Sequence, residues 1–206
     1  MGALRLLLAA ALWLTACAAP TPAVGSPSPS SATPSVRTDR VGNVLTPLVD
    51  AATWARLAAH PLRFPELAAG APCPVTPATQ ITRYVGPVAG PGPVYSIGNR
   101  ILYSRAPDGS LFTKVAWLSR PDYKDAALIR GARIDASGDV RFQAGGGPIT
   151  GELRFDYDTG TRSQGSEEGW RFLPSLVFIS GSGCYAFQID GVDWSLTIVM
   201  DGVASP

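Results

Sequence analysis

His60 is the only histidine in the chain, and it stands directly before Pro61 at the end of a helix-like run. Imidazole chemistry therefore has one residue to draw on, and no second His or Cys lies at ligand spacing from His60, Cys73 or Cys184. At a helix end its positive form would meet the negative pole of the macrodipole. A serine hydrolase is opposed by the lack of any G-x-S-x-G, since Ser182 in Gly181-Ser182-Gly183 reads as a turn, and no S-x-x-K of the penicillin-binding kind occurs. The glycines at 145 to 147 lack the Lys and Ser or Thr that complete a phosphate loop.

Glycoside hydrolysis asks only for two carboxyl groups, so acidic residues have to be judged by position. Glu152 and Asp156 alternate with apolar residues and read as the wet face of a strand, while Asp108, Asp139, Asp158 and Asp190 fall in turns. The run Asp156-Tyr157-Asp158-Thr159-Gly160, with Glu167 downstream, only loosely suggests a calcium loop. Its glycine comes one place early and its third ligand position is not acidic, which rejects an EF-hand. No metal and no cofactor is expected. Among the aromatic residues, Trp117 and Trp194 lie in apolar strands and read as core. Trp170, beside Gly169 and the pair Glu167 and Glu168, is the candidate for an exposed ligand-binding ring, giving the candidate set Trp170, Glu167 and Glu168.

These residues need a scaffold, and the hydrophobic period supplies a β one. Gly151 to Asp158 alternates polar and apolar residues, as does Cys184 to Ile189. After the turn Asp190-Gly191-Val192-Asp193 comes Trp194 to Met200, with Trp194, Leu196, Ile198 and Met200 on one face, so the last two strands read as a hairpin. Further strands are expected at 94–97, 101–104, 112–118, 128–134, 140–143 and 170–179, separated by turn signals such as Pro107-Asp108-Gly109 and Gly145-Gly146-Gly147-Pro148. The spacing predicts an all-β domain, an immunoglobulin-like antiparallel β-sandwich or alternatively a small β-barrel. One short N-terminal helix is expected over Asp50 to Ala59, with Trp54, Leu57 and Ala58 on one side, capping an end of the domain. Leu62 to Pro77 is expected to run extended across a sheet edge.

Ahead of this domain, Arg5 precedes a short apolar run, Leu6 to Trp13, and small residues lead to Cys17, the three-part pattern of a secretory leader over 1–16. Leu14-Thr15-Ala16-Cys17 resembles the lipobox of bacterial lipoprotein precursors. The resemblance implies cleavage before Cys17, a thioether diacylglycerol on its sulfur and often a third acyl chain such as palmitate, and two or three chains anchor stably. The alternative is an ordinary signal peptide cut near Ala16 or Ala19. The segment 17–40 is almost wholly Ala, Pro, Ser, Thr and Gly up to Thr38, a disordered tether spanning roughly 25 Å if flexible and nearer 60 Å if polyproline-like. Residues 41–206 then form one domain. With Cys17 acylated, Cys73 and Cys184 of an exported chain are most simply a disulfide.

Blocks around Ala71-Pro72-Cys73-Pro74-Val75-Thr76, Gly92-Pro93-Val94-Tyr95 and Gly183 to Gly191 resemble uncharacterised exported lipoproteins of GC-rich bacteria, a resemblance that implies no activity. Formal net charge is +1, and without Arg5 the remaining 16 basic residues equal the 16 acidic ones, with no basic run that would suit nucleic acid. The chain is thus expected to be a monomeric, lipid-anchored module on the extracytoplasmic side of the cell membrane. It would hold the bilayer through Cys17 and meet an envelope glycan or protein as a binding or structural element rather than as an enzyme. A carboxylate-based glycan hydrolase and an accessory lipoprotein of a transport or assembly complex are the alternatives.

Overall fold

The computed structural model describes residues 49–83, 85–156 and 169–206, all within the unit Pro34–Pro206. The leader 1–16, Cys17, the tether 17–40, most of the loose calcium-loop run, and Glu167 and Glu168 lie outside the described residues.

Among the described residues there is one helix, α1 (Ala51–Ala58). Asp50 caps it: the Thr53 amide donates to Asp50 Oδ1 at 2.6 Å, and this bond holds the carboxyl below its ordinary value. Trp54 and Leu57, three residues apart, are buried together against Ala126 and Leu128, whereas Ala58, expected on the same side, is exposed.

The strands are β1 (Ala78–Thr79), β2 (Val88–Ala89), β3 (Val94–Ile97), β4 (Arg100–Arg105), β5 (Leu111–Ser119), β6 (Ala127–Arg133), β7 (Arg141–Ala144), β8 (Glu152–Phe155), β9 (Arg171–Ile179), β10 (Gly183–Asp190) and β11 (Ser195–Ala204). The expected all-β architecture with one short helix is what forms, a β-sandwich. One layer runs β1-β2-β3-β5-β9-β7 and the other β4-β11-β10-β6-β8. The seam is β4, whose residues 100–103 pair with β11 while Ser104 and Arg105 pair with β5. At the far side the layers touch again, through reciprocal Phe142 and Thr150 backbone bonds of 2.8 and 2.9 Å.

The expectation of a purely antiparallel sheet is corrected at one strand pairing: β4 and β11 are parallel. The direction of β4 is set by its hairpin with β5 and that of β11 by its hairpin with β10, and the two hairpins meet with these strands pointing the same way. Between β7 and β8, Gly145 and Gly146 both have positive φ, 58° and 71°, a hairpin turn that residues with a Cβ enter only at a cost.

The interlayer core is centred on Trp117 of β5, fully buried, with its ring edge-on to Phe187 of β10 at 5.6 Å and its indole N–H donating to Ser175 Oγ at 3.1 Å. Ile198 and Met200 face this core as the alternation predicts. The opposite face of β10 and β11 is covered by the chain between α1 and β1. Phe64, Leu67 and Cys73 pack on Cys184, Ala186 and Val199. The Cys73–Cys184 disulfide, with Cα atoms 5.4 Å apart, closes over 111 residues. This segment was expected along an edge. It crosses the outer face first and reaches an edge only at Thr76, whose amide donates to Val199 O at 2.9 Å while its Oγ1 accepts from Val199 N at 2.8 Å. Helix α1 likewise lies on the outer face of β6, through Leu128, instead of capping an end.

Candidate functional site

Two recesses flank the β10–β11 turn and share Asp193 and Trp194, one of about 310 Å³ toward the chain between α1 and β1 (residues 59–77, the strap) and one of about 330 Å³ toward the loop after β5. The first sits over a buried polar network. Asp190, at the end of β10, has no exposed surface, and its carboxylate accepts from Arg130 Nη2 at 2.7 Å, Ser195 Oγ at 2.7 Å and Gln188 Nε2 at 2.8 Å, with His60 Nδ1 at 3.4 Å. Arg130, from β6, also donates to Ala58 O at 3.1 Å and His60 O at 2.7 Å. The cation at the C-terminus of α1 is therefore Arg130, reaching from the sheet, and not the His60 ring. Gln188 completes the tie, accepting from Arg63 N at 2.6 Å and donating to Pro61 O at 3.0 Å.

Chemically this network is a clasp. The Ser195 hydroxyl donates into a carboxylate already matched by a guanidinium, so no base draws its proton and no nucleophile is prepared. Its work is to bind residues 58–63 to the sheet, with both Asp190 oxygens and both terminal nitrogens of Arg130 engaged and the buried Arg130 Nε left without a partner among the described residues.

The second recess has a different character. Trp194 stands edge-on to Tyr123 at 5.4 Å, and around the rings lie Arg120, Asp122, Asp125 and Asp193. Gly191 has to be small there, because a Cβ would overlap the Trp194 indole. Arg120 grips Asp122 with two bonds, 2.9 and 2.5 Å, and these hold the Asp122 carboxyl below its ordinary value. Tyr123 donates to Ala126 O at 2.6 Å. Burial first, and the Asp125 charge second, raise its phenol well above the ordinary value, so it stays a neutral donor. Beneath the loop, Arg171 is 4% exposed and donates to Ser119 Oγ at 3.1 Å, Tyr123 O at 2.9 Å and Asp125 O at 3.3 Å, fixing the wall from Ser119 to Asp125.

The recess offers an apolar ring edge and planar charged groups side by side, an arrangement suited to recognition. A general acid needs a carboxyl pushed upward. Among the described residues the carboxyls whose ionisation is displaced, Asp50, Asp108, Asp122 and Asp135, are displaced downward. Among the described residues no three His, Cys, Asp or Glu side chains gather to hold a metal ion.

No protein-family model matches the chain, and comparison with curated proteins and with solved structures gives no match.

Trp170 is half-buried on the outer side of the first layer, with Tyr95 at 6.4 Å and Val88 and Leu118 as neighbours, and it is not among the side chains of either recess. Trp194 takes the place the sequence suggested for Trp170. It precedes the first residue of β11, so its ring packs only partly on the core and reaches the sandwich end. Asp190, Arg130 and Arg171 were missed. A signal for Asp190 existed: it shares the phase of Cys184, and whatever carries Cys73 onto Cys184 must also cover Gln188 and Asp190.

Proposed function

We propose that this chain is a lipid-anchored extracytoplasmic binding module that holds an envelope glycan in the recess beside Trp194 without cleaving it. The carrying observation is the juxtaposition of Trp194 and Tyr123 with Arg120, Asp122, Asp125 and Asp193 at one end of the sandwich. The apolar face of a sugar ring stacks on an indole, and its hydroxyls bridge carboxylates and a guanidinium. The fixed wall supports binding because little has to be ordered when the ligand arrives.

The anchor is the lipobox at Leu14-Thr15-Ala16-Cys17, and the tether 17–40 sets the distance from the lipid. Metabolic labelling with a palmitate analogue tests it: label enters the wild-type chain and not Cys17→Ala, and equal label in both refutes the anchor. The glycan reading is tested by equilibrium dialysis of the full chain against soluble cell-wall glycan fragments. Retention that disappears in Trp194→Ala supports it, and equal retention by the variant refutes it.

A second reading, glycan hydrolysis, has one observation in its favour, the presence of Asp122, Asp125 and Asp193 around a single recess. Shortened fragments after incubation would establish it in place of simple binding.

A further inference from the structure

One half of the outer face of the first layer is formed by the residues of β5, β7 and β9 that point away from the core. Register places Phe112 beside Phe178 beside Arg141, then Lys114 beside Leu176 beside Gln143, then Ala116 beside Pro174. Burial along β9 alternates without a break, and its half-buried positions are Phe172, Pro174, Leu176 and Phe178, apolar residues where a solvated strand face carries polar ones. Phe112 and Phe178 pack on each other with centroids 6.2 Å apart, yet Phe112, Leu176 and Phe178 join none of the buried clusters. No carboxylate occurs in these rows. Lys114 and Arg141 are exposed, and neither forms an ion pair among the described residues.

Charge selects the occupant. A second copy docking by two-fold symmetry would bring the same patch onto itself and set these cations against each other. An apolar face whose only charges are positive complements a surface that is anionic on top and apolar just beneath. We infer that this face docks on an anionic phospholipid bilayer, with Phe112, Leu176 and Phe178 at the boundary between headgroups and acyl chains and Lys114 and Arg141 on headgroup phosphates. This contact goes beyond the glycan reading and needs neither the recess nor an acyl group on Cys17, so each stands or falls alone.

The test uses the full chain with Cys17→Ala and Gln143→Cys, whose only thiol, beside the disulfide, carries a polarity-sensitive fluorophore. A matching chain carries the label at Glu66→Cys, exposed on the strap of the opposite face. Phosphatidylglycerol vesicles are expected to shift the emission at 143 to the blue and leave 66 unshifted, and phosphatidylcholine vesicles to leave both unshifted. Lys114→Gln and Arg141→Gln, both at exposed positions that do not endanger folding, each lower the docked fraction relative to the undocked by about five-fold. The inference is overturned by no shift at 143, by an equal shift at 66, by an equal shift on phosphatidylcholine, or by a shift that grows with protein concentration in the absence of lipid, which would mean self-association.

Discussion

On β10 every residue from Cys184 to Asp190 is buried, whereas on β9 burial alternates strictly from Arg171 to Ile179. Both strands face the same core with one side. They differ in what covers the other side: β10 lies under the strap and the Cys73–Cys184 bridge, and the outward residues of β9 form a partly exposed apolar face. A buried outward face can use polar side chains only where each finds a partner, and Asp190, Gln188 and Arg130 are held in this way. The apolar outward face of β9 has no such requirement, and Leu176 and Phe178 on it stay half-buried, outside every buried cluster.

The sharpest break in that contrast comes from Asp190→Ala. It strands a largely buried Arg130 and unties residues 58–63, so a loss of about 3–5 kcal/mol is expected in denaturant unfolding. Next is Cys73→Ser with Cys184→Ser, which frees the strap and costs about 2–4 kcal/mol, measured the same way. Gly191→Ala forces the Trp194 ring aside, costs about 1–3 kcal/mol and weakens glycan retention, read by dialysis alongside melting. Leu176→Gln on the β9 face is expected to stay within about 0.5 kcal/mol of wild type, and a loss as large as that of Asp190→Ala would erase the distinction between the two faces.

The smallest effect is one of pH. Arg120 lowers the folded-state value of Asp122 below that of the unfolded chain. The pair's contribution is therefore complete above the ordinary carboxylate range near pH 4 and is lost as pH falls through the folded value. Carboxyl NMR titration of Asp122 should show it ionised below that range. An ordinary or raised value would release this wall of the recess from its fixed state.

Much of the fold was legible because strand period and turn chemistry are local. Gly151 to Asp158, Cys184 to Ile189 and Trp194 to Met200 announce β8, β10 and β11, and Asp50 announces α1. What could not be read was which elements lie over which. Alternation along Cys184 to Ile189 signals one inward face but cannot say that a distant segment covers the other, so Asp190 looked like a turn residue when it is the centre of a clasp. The parallel meeting of β4 and β11 joins strands far apart in sequence and leaves no local mark. Trp170 and Trp194 were assigned by their neighbours in sequence, and exposure is decided by neighbours in space. The proposed lipobox is the reverse case, since Leu14-Thr15-Ala16-Cys17 is read from adjacent residues alone and draws on no fold.

The most direct measurement of the central claim is calorimetric titration of the full chain with soluble cell-wall glycan fragments, the fragments being recovered and weighed by mass spectrometry afterwards. The account predicts saturable binding to wild type, at least ten-fold weaker binding to Trp194→Ala at a temperature where circular dichroism shows the variant folded, and fragments of unchanged mass. Wild-type binding that survives Trp194→Ala undiminished, or fragments recovered shortened, would contradict it.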